Sequence, residues 1–476
     1  MEQSWNQYSE DGEKKKMADV PETLNLRYDF ETREFVVPVK ELSTVFQFCL
    51  GNLTKKDARL ESIQAFLGTE DFDSYHKDFV QHEIAANIKC FHDVVARDFD
   101  IEKITNFNRT IDGSDKEVAP KYREFEVGPS HKESLLCEGF IFAQHKQFGN
   151  LVVFELEAYL DGGDGYLEFR THYAREDSIV HSFWEAVKEY FCTSGPLKGH
   201  IINNKWEYVK PTESSLKDVI LSDKARSKLN RNVLSFLDNS DLFAEKGLSK
   251  SRGILLYGAP GTGKTMTCES IINQVDCTVI CVSNDTVENL REIKRIYALA
   301  EKLAPTLMVI EDIDTLGGLD RRDGASHPLL GELLASLNGV GPTGNVVTVA
   351  TTNYPQYLDR ALADRPGRFD IRVEFPIPDA GLRKAILKKY LKQFDNEITG
   401  TKGKGHLERF AKECDGLTGA YLREVVTTAY LITLERKLDK ITVDVFQESL
   451  TQVKEMKKLA LKEIGVTTAP TGDMFS

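Results

Sequence analysis

The chain has 476 residues, with 61 Lys and Arg against 74 Asp and Glu, a net charge of −13. That balance excludes the global basic footprint of a nucleic-acid coat or a polybasic membrane binder and leaves only a local basic groove open. The composition, 41% hydrophobic and 28% charged, is that of an ordinary globular protein, and at roughly 150 residues per domain two to four domains are expected.

Residues 1–20 are polar and aperiodic and read as a disordered lead-in, with Lys14-Lys15-Lys16 solvated beside Asp11 and Glu13. No apolar h-region marks a secretory signal, and no apolar run approaches the roughly 18 residues of a membrane helix. A cytoplasmic protein without membrane contact is expected. Eight scattered cysteines form no CxxC pair and read as free thiols. His82-Glu83 begins like a zinc-protease helix, but Ala86 stands where the second histidine belongs.

Apolar spacing predicts helix through most of 40–98, with Val39, Leu42, Val45, Phe46 and Leu50 on one stretch and Phe72–Val95 on a second. Strands are predicted at Tyr122–Val127, Leu135–Gln144, Leu151–Leu160 and Tyr166–Tyr173, the last two joined by the hairpin signal Asp161-Gly162-Gly163-Asp164-Gly165. A helix at about 178–193 and a short strand at His200–Trp206 complete an α+β domain over 21–206 with no catalytic signature. A connector helix follows, with Leu229, Val233, Phe236 and Leu237 on one face. The apolar runs Ile254–Tyr257, Val279–Val282, Leu307–Ile310, Val346–Ala350 and Ile371–Phe375 then alternate with helices, the pattern of a parallel sheet buried on both faces. This gives an α/β domain over 207–378. Helices at about 379–393, 404–414, 418–436 and 442–462 make a helical domain over 379–462, ahead of a flexible tail, 463–476.

Gly258-Ala259-Pro260-Gly261-Thr262-Gly263-Lys264-Thr265 follows a strand and opens a helix, the context that a P-loop requires. Its glycines let backbone N–H groups curl round a phosphate, and the helix N-terminus adds partial positive charge. Lys264 is assigned to the β- and γ-phosphates and Thr265 to magnesium, with Met266 next along the helix also assigned to the nucleotide. In Leu307–Ile310 then Glu311-Asp312-Ile313-Asp314, an apolar strand delivers acids beside that loop. One acid suits the metal and another the attacking water. Asn353, at the end of the next strand, is placed to hold the water or the γ-phosphate. Arg365 and Arg368 frame a Pro366-Gly367 turn that displays both guanidiniums.

Together these pieces resemble the AAA family of ATPases over about residues 207–462. The resemblance implies an α/β P-loop AAA core with a helical lid, ATP and Mg2+ as ligands, and self-assembly into a ring, usually a hexamer. It implies that Arg365 and Arg368 act as arginine fingers in a neighbouring subunit's site. It further implies that Gly419 and Ala420, with Val219 and Ile220, line the adenine. The usual acidic order is Asp then Glu; here Glu311 takes the metal position and Asp312 the base position, and because Asp312 is the shorter side chain the two roles can be exchanged, or shared with Asp314. Glu-Asp at this place is similar to the mitochondrial AAA ATPases that translocate folded Rieske protein; their membrane anchor is not expected here, so their location and substrate are not carried over. The aromatic grip of protein-threading relatives is missing from Ser283–Asn289, so threading of an unfolded chain is not expected. Gly317–Pro328, with Arg321 and Arg322, reads equally as a pore loop or a loop on the ring. Met474-Phe475-Ser476 does not match the hydrophobic-Tyr-any tail of proteasomal motors.

The expected function is ATP-driven remodelling or translocation of a protein client recognised by the N-terminal domain. The alternatives are a nucleic-acid-linked motor or loader, disfavoured by the charge, and a slowly hydrolysing ATP-gated scaffold, suggested by the Glu-Asp order.

Overall fold

A computed structural model describes residues 27–29, 34–36, 57–109, 115–159, 165–174, 179–216, 219–282, 290–315, 344–355, 369, 371–399 and 404–463. The chain divides into two compact units, 1–125 with 132–187, and 126–131 with 188–476. No described helix is long and apolar enough to cross a membrane.

The first unit holds β1 (Arg27–Asp29), β2 (Glu34–Val36), α1 (Ala58–Leu67), β3 (Phe72–Val80), α2 (Gln81–Asp98), β4 (Phe99–Arg109), β5 (Asp115–Val118), β6 (Lys121–Gly128), β7 (His131–His145), β8 (Leu151–Tyr159), β9 (Tyr166–Ala174) and α3 (Ile179–Thr193). β1 and β2 pair with each other; the other strands form one seven-stranded sheet of order β3-β9-β8-β7-β4-β5, with β6 on β7. The β8–β9 pairing runs from Val152↔Tyr173 to Tyr159↔Tyr166, as a hairpin requires. Phe91 of α2 is fully buried and stacks on Trp184 of α3, with ring centroids 6.0 Å apart.

Phe72–Val80 is strand, not the helix that its spacing predicts. Phe72, Tyr75 and Phe79 mimic a helical stripe because they serve opposite faces of β3. Phe72 meets His172 on one face, while Tyr75 and Phe79 meet Trp184 and Phe169 on the other. Helix begins only at Gln81.

The second unit contains β10 (Ile201–Asn203), α4 (Asp223–Leu229), α5 (Ser235–Asp238), α6 (Ser240–Glu245), β11 (Arg252–Tyr257), α7 (Lys264–Ile272), β12 (Thr278–Val282), α8 (Leu290–Lys302), β13 (Thr306–Ile310), β14 (Val346–Thr352) and β15 (Ile371–Glu374). These strands form a six-stranded sheet, β10-β12-β13-β14-β11-β15, with all five neighbouring pairs parallel. β13 and β14 are buried at every position, as strands covered on both faces must be. A second correction concerns β10, expected to close the N-terminal domain. It instead extends the parallel sheet, with Ile202 opposite Ile280 and the Gly199 N–H donating to Thr278 Oγ1 at 3.0 Å. Four helices, α9 (Ala380–Leu391), α10 (Lys404–Glu413), α11 (Gly419–Glu435) and α12 (Val443–Glu463), pack round their own core of Leu387, Phe410, Leu422, Val426 and Phe446.

Candidate functional site

β11 buries Gly253 through Leu256 and ends at the parallel sheet's C-terminal edge, where the chain turns into the glycine loop. Gly258 has φ 151°, and a Cβ there would fall 2.2 Å from the Phe375 carbonyl oxygen. Gly261 has φ 76°, and a Cβ there would meet Ala420 Cβ at 2.7 Å and Thr418 Oγ1 at 2.9 Å. Only glycine fits either position. The Thr262 hydroxyl donates to the Ala259 carbonyl at 2.8 Å and holds the loop curled. α7 then starts at Lys264, so its unpaired N–H groups open toward the loop.

Lys264 is only 6% exposed. Its Nζ donates to the carbonyls of Gly258 at 2.7 Å and Ala259 at 3.0 Å, and to Asn353 Oδ1 at 2.7 Å. Burial pulls its pKa down, against the pull of Asp312 and Asp314. Asn353 Nδ2 donates in turn to Asp312 Oδ1 at 2.9 Å. An ammonium only donates and a carboxylate only accepts, so the Asn353 amide has one orientation that serves both. β14 supplies the rest of the frame. Thr351 Oγ1 accepts the Asp312 N–H at 2.8 Å, and Asp312 takes φ 47°, which turns the chain sharply at the end of β13. Asp314, 7% exposed on a 3-10 turn, accepts the Asn353 N–H at 3.3 Å.

The carboxylates crowd one another. Burial raises the Glu311 pKa, followed by Asp312 and Glu269; burial raises that of Asp312, followed by Asp314. Among the described residues no group of three or more His, Cys, Asp or Glu side chains converges to hold an ion unaided. Magnesium keeps several waters and takes phosphate oxygens as ligands, so it needs few groups from the protein. The exposed Thr265 hydroxyl with Glu311 and Asp312 fits that demand.

A small open cleft adjoins the loop, lined in part by Ile220, Ser222, Thr262, Phe375, Leu382 and Gly419. Ile220 and Gly419, both assigned to the adenine from the sequence, line this cleft. Val219 is buried, its carbonyl accepting from Arg226 Nη2 at 2.8 Å, and the Ala420 N–H donates to the Gly261 carbonyl at 3.0 Å. Pro260 is an exposed turn residue of the loop, and Met266 is half-buried on the first turn of α7. Arg365, Arg368, residues 283–289 and residues 317–328 lie outside the described residues. Sequence reasoning missed Thr351 and Thr418. The Thr418 hydroxyl is buried beside the loop and has no hydrogen-bond partner among the described residues, a feature that no local motif announces.

A family model described as "ATPase family associated with various cellular activities (AAA)" matches residues 254–377. The proteasome-activating nucleotidase of Thermococcus kodakarensis is 30% identical over 272 residues, 55% of this chain and 67% of the relative. The chain belongs to the AAA family of ATPases. The family is one of ATP-hydrolysing enzymes, and the AAA core here is an ATPase core. The protein of the same name from Pyrococcus furiosus is 31% identical over 270 residues, 54% of this chain and 66% of the relative. That from Methanocaldococcus jannaschii is 32% identical over 240 residues, 48% of this chain and 54% of the relative. The chain therefore spans between about half and two thirds of the length of these relatives. The matches support an AAA core and do not support the finer likeness to Rieske-protein translocases.

Asp314 holds the Asn353 backbone N–H, and its charge acts on Lys264 and Asp312, so its replacement is expected to fall on turnover more than on binding. Asp314→Ala is expected to lower kcat about tenfold, the loss of one hydrogen bond to a charged acceptor, with KM for ATP little changed. Asp314→Asn keeps an acceptor oxygen and recovers most of the rate. Steady-state ATPase assays of the two variants check this; a rise in KM with unchanged kcat would contradict it.

Proposed function

We propose that this AAA ATPase assembles as a ring, a hexamer by family resemblance, in the cytoplasm and couples ATP hydrolysis to remodelling or moving a protein client met by its N-terminal unit. The observation that carries the reading is the Asn353 amide bridging Lys264 and Asp312 at 2.7 and 2.9 Å. It joins the group suited to phosphate charge to the group suited to the attacking water.

In this reading Lys264 leaves its carbonyl partners for the β- and γ-phosphate oxygens. Magnesium, when bound with ATP, offsets phosphate charge, and Thr265 with Glu311 would hold it. Asp312 accepts a proton as the water oxygen bonds to the γ-phosphorus and the bond to the β–γ bridging oxygen breaks, leaving ADP and phosphate. Asn353 orients that water. Arg365 and Arg368 of the adjacent subunit stabilise the charge that develops. Ile220, Val219, Gly419 and Ala420 enclose the adenine. The hydrogen bond from Ala420 to Gly261 supports a coupling between phosphate loop and helical lid. The absence of the aromatic grip from the sequence 283–289 supports moving a client without threading it.

The test is capture. The full chain carrying Glu311→Gln and Asp312→Asn is purified with ATP, with and without nuclease, and its companions are identified. A specific protein that survives nuclease and is released when ATP is withdrawn supports the reading. Nucleic acid as the sole companion overturns it.

A further inference from the structure

One face of the first unit's sheet lies under α2 and α3. On the other, α1 packs over Phe140, Phe142 and Val153, and the far end carries exposed side chains. Strand register lays those out in rows across β3, β9 and β8. Asp78, Glu168 and Glu157 form one row, and Val80, Tyr166 and Tyr159 form the next. The second row is solvent-facing, with Val80 45%, Tyr166 43% and Tyr159 53% exposed. The two tyrosine rings stack at 5.8 Å and 23°.

Three carboxylates directly opposite one another on adjacent strands repel, and a fold gains nothing from such a row. Their compensation is thin. The Arg170 guanidinium is divided among Glu168 at 2.7 Å, Glu157 at 3.6 Å and Glu155 at 3.1 Å, and Glu155 draws also on Arg59 at 3.3 Å and His172 at 2.9 Å. His76 approaches Glu168 at 3.4 Å, and among the described residues Asp78 has no ion-pair partner. A net-negative row therefore stands beside an exposed aromatic row.

We propose that these two rows are the docking surface for the client: an extended polypeptide segment with Lys or Arg two positions from a large apolar residue. Rows on one face of a strand are about 7 Å apart, the spacing of residues i and i+2 in an extended chain. A basic side chain then lies over the carboxylates while its neighbour at i+2 covers the tyrosines. The proposal rests on the client-remodelling reading and names the client's chemistry. Other occupants fit poorly. Nucleic-acid phosphates meet the acidic row, a second copy face to face sets that row against itself, and no described group of acids can hold a metal ion.

The experiment uses the full chain with ATP and two fluorescein-labelled peptides, three repeats of Lys-Ser-Leu-Ser and three of Glu-Ser-Leu-Ser, read by fluorescence anisotropy. The lysine peptide is expected to bind and the glutamate peptide to fail. Asp78→Asn with Glu157→Gln, and separately Tyr159→Ser with Tyr166→Ser, should each weaken binding at least about tenfold. Basal ATPase and melting temperature should stay unchanged. Equal binding of both peptides, no binding of the lysine peptide, or wild-type affinity in both variants would overturn the proposal. The client reading fails separately, if no protein client changes the ATPase rate even though the lysine peptide binds this face.

Discussion

Lys264→Ala is expected to abolish ATP binding and to reduce turnover by roughly 10³-fold or more, the scale of losing a preorganised charged donor. The free protein explains why the loss falls on the ligand and not on the fold. Lys264 is buried against two carbonyls and an amide oxygen, an environment that depresses its pKa. Deleting the ammonium orphans those acceptors but also removes a buried charge, and the two effects oppose each other. The folded state should therefore survive with a melting temperature near that of the wild type. ATP raises the melting temperature of a protein that binds it by mass action, so the wild type should shift with ATP and Lys264→Ala should not. A normal shift in the variant would refute the P-loop reading.

The parts of this site written as contiguous strings were legible from the sequence. Gly258–Thr265 is one such string, and Glu311-Asp312 and Asn353 each end an apolar run, so strand geometry brings them to one edge. The bridge among Lys264, Asn353 and Asp312 was not legible, because it depends on the register of β14 between β11 and β13. Thr351 takes its role from the same register. The N-terminal unit read less well. Phe72–Val80 imitates a helix by using both faces of a strand. β4, with Ile101 and Ile104 exposed, lacks a clean alternation, and its pairing with β7 shifts between Ile101 and Lys103. β10 is three residues long, too short for periodicity, and only its partner β12 reveals which sheet it joins.

Arg368→Ala is expected to leave ATP affinity nearly intact while turnover falls ~10³–10⁵-fold, the usual worth of an arginine finger. The proposal that Arg368 acts on a neighbour makes a sharper statement than loss of rate. In a ring with head-to-tail contacts, each site draws its lysine from one subunit and its arginine from the next. Lys264→Ala subunits keep the arginine, and Arg368→Ala subunits keep the lysine. Neither alone should turn over ATP. Mixed at equal amounts and allowed to exchange, about one site in four would pair a lysine-bearing subunit with an arginine-bearing neighbour, and ATPase activity should reappear at about that fraction of wild type. An arginine serving its own subunit predicts no recovery at any mixing ratio, because no single chain in the mixture carries both groups. Recovery would also establish that these chains share sites, since activity regained by two inactive variants requires an interface between them.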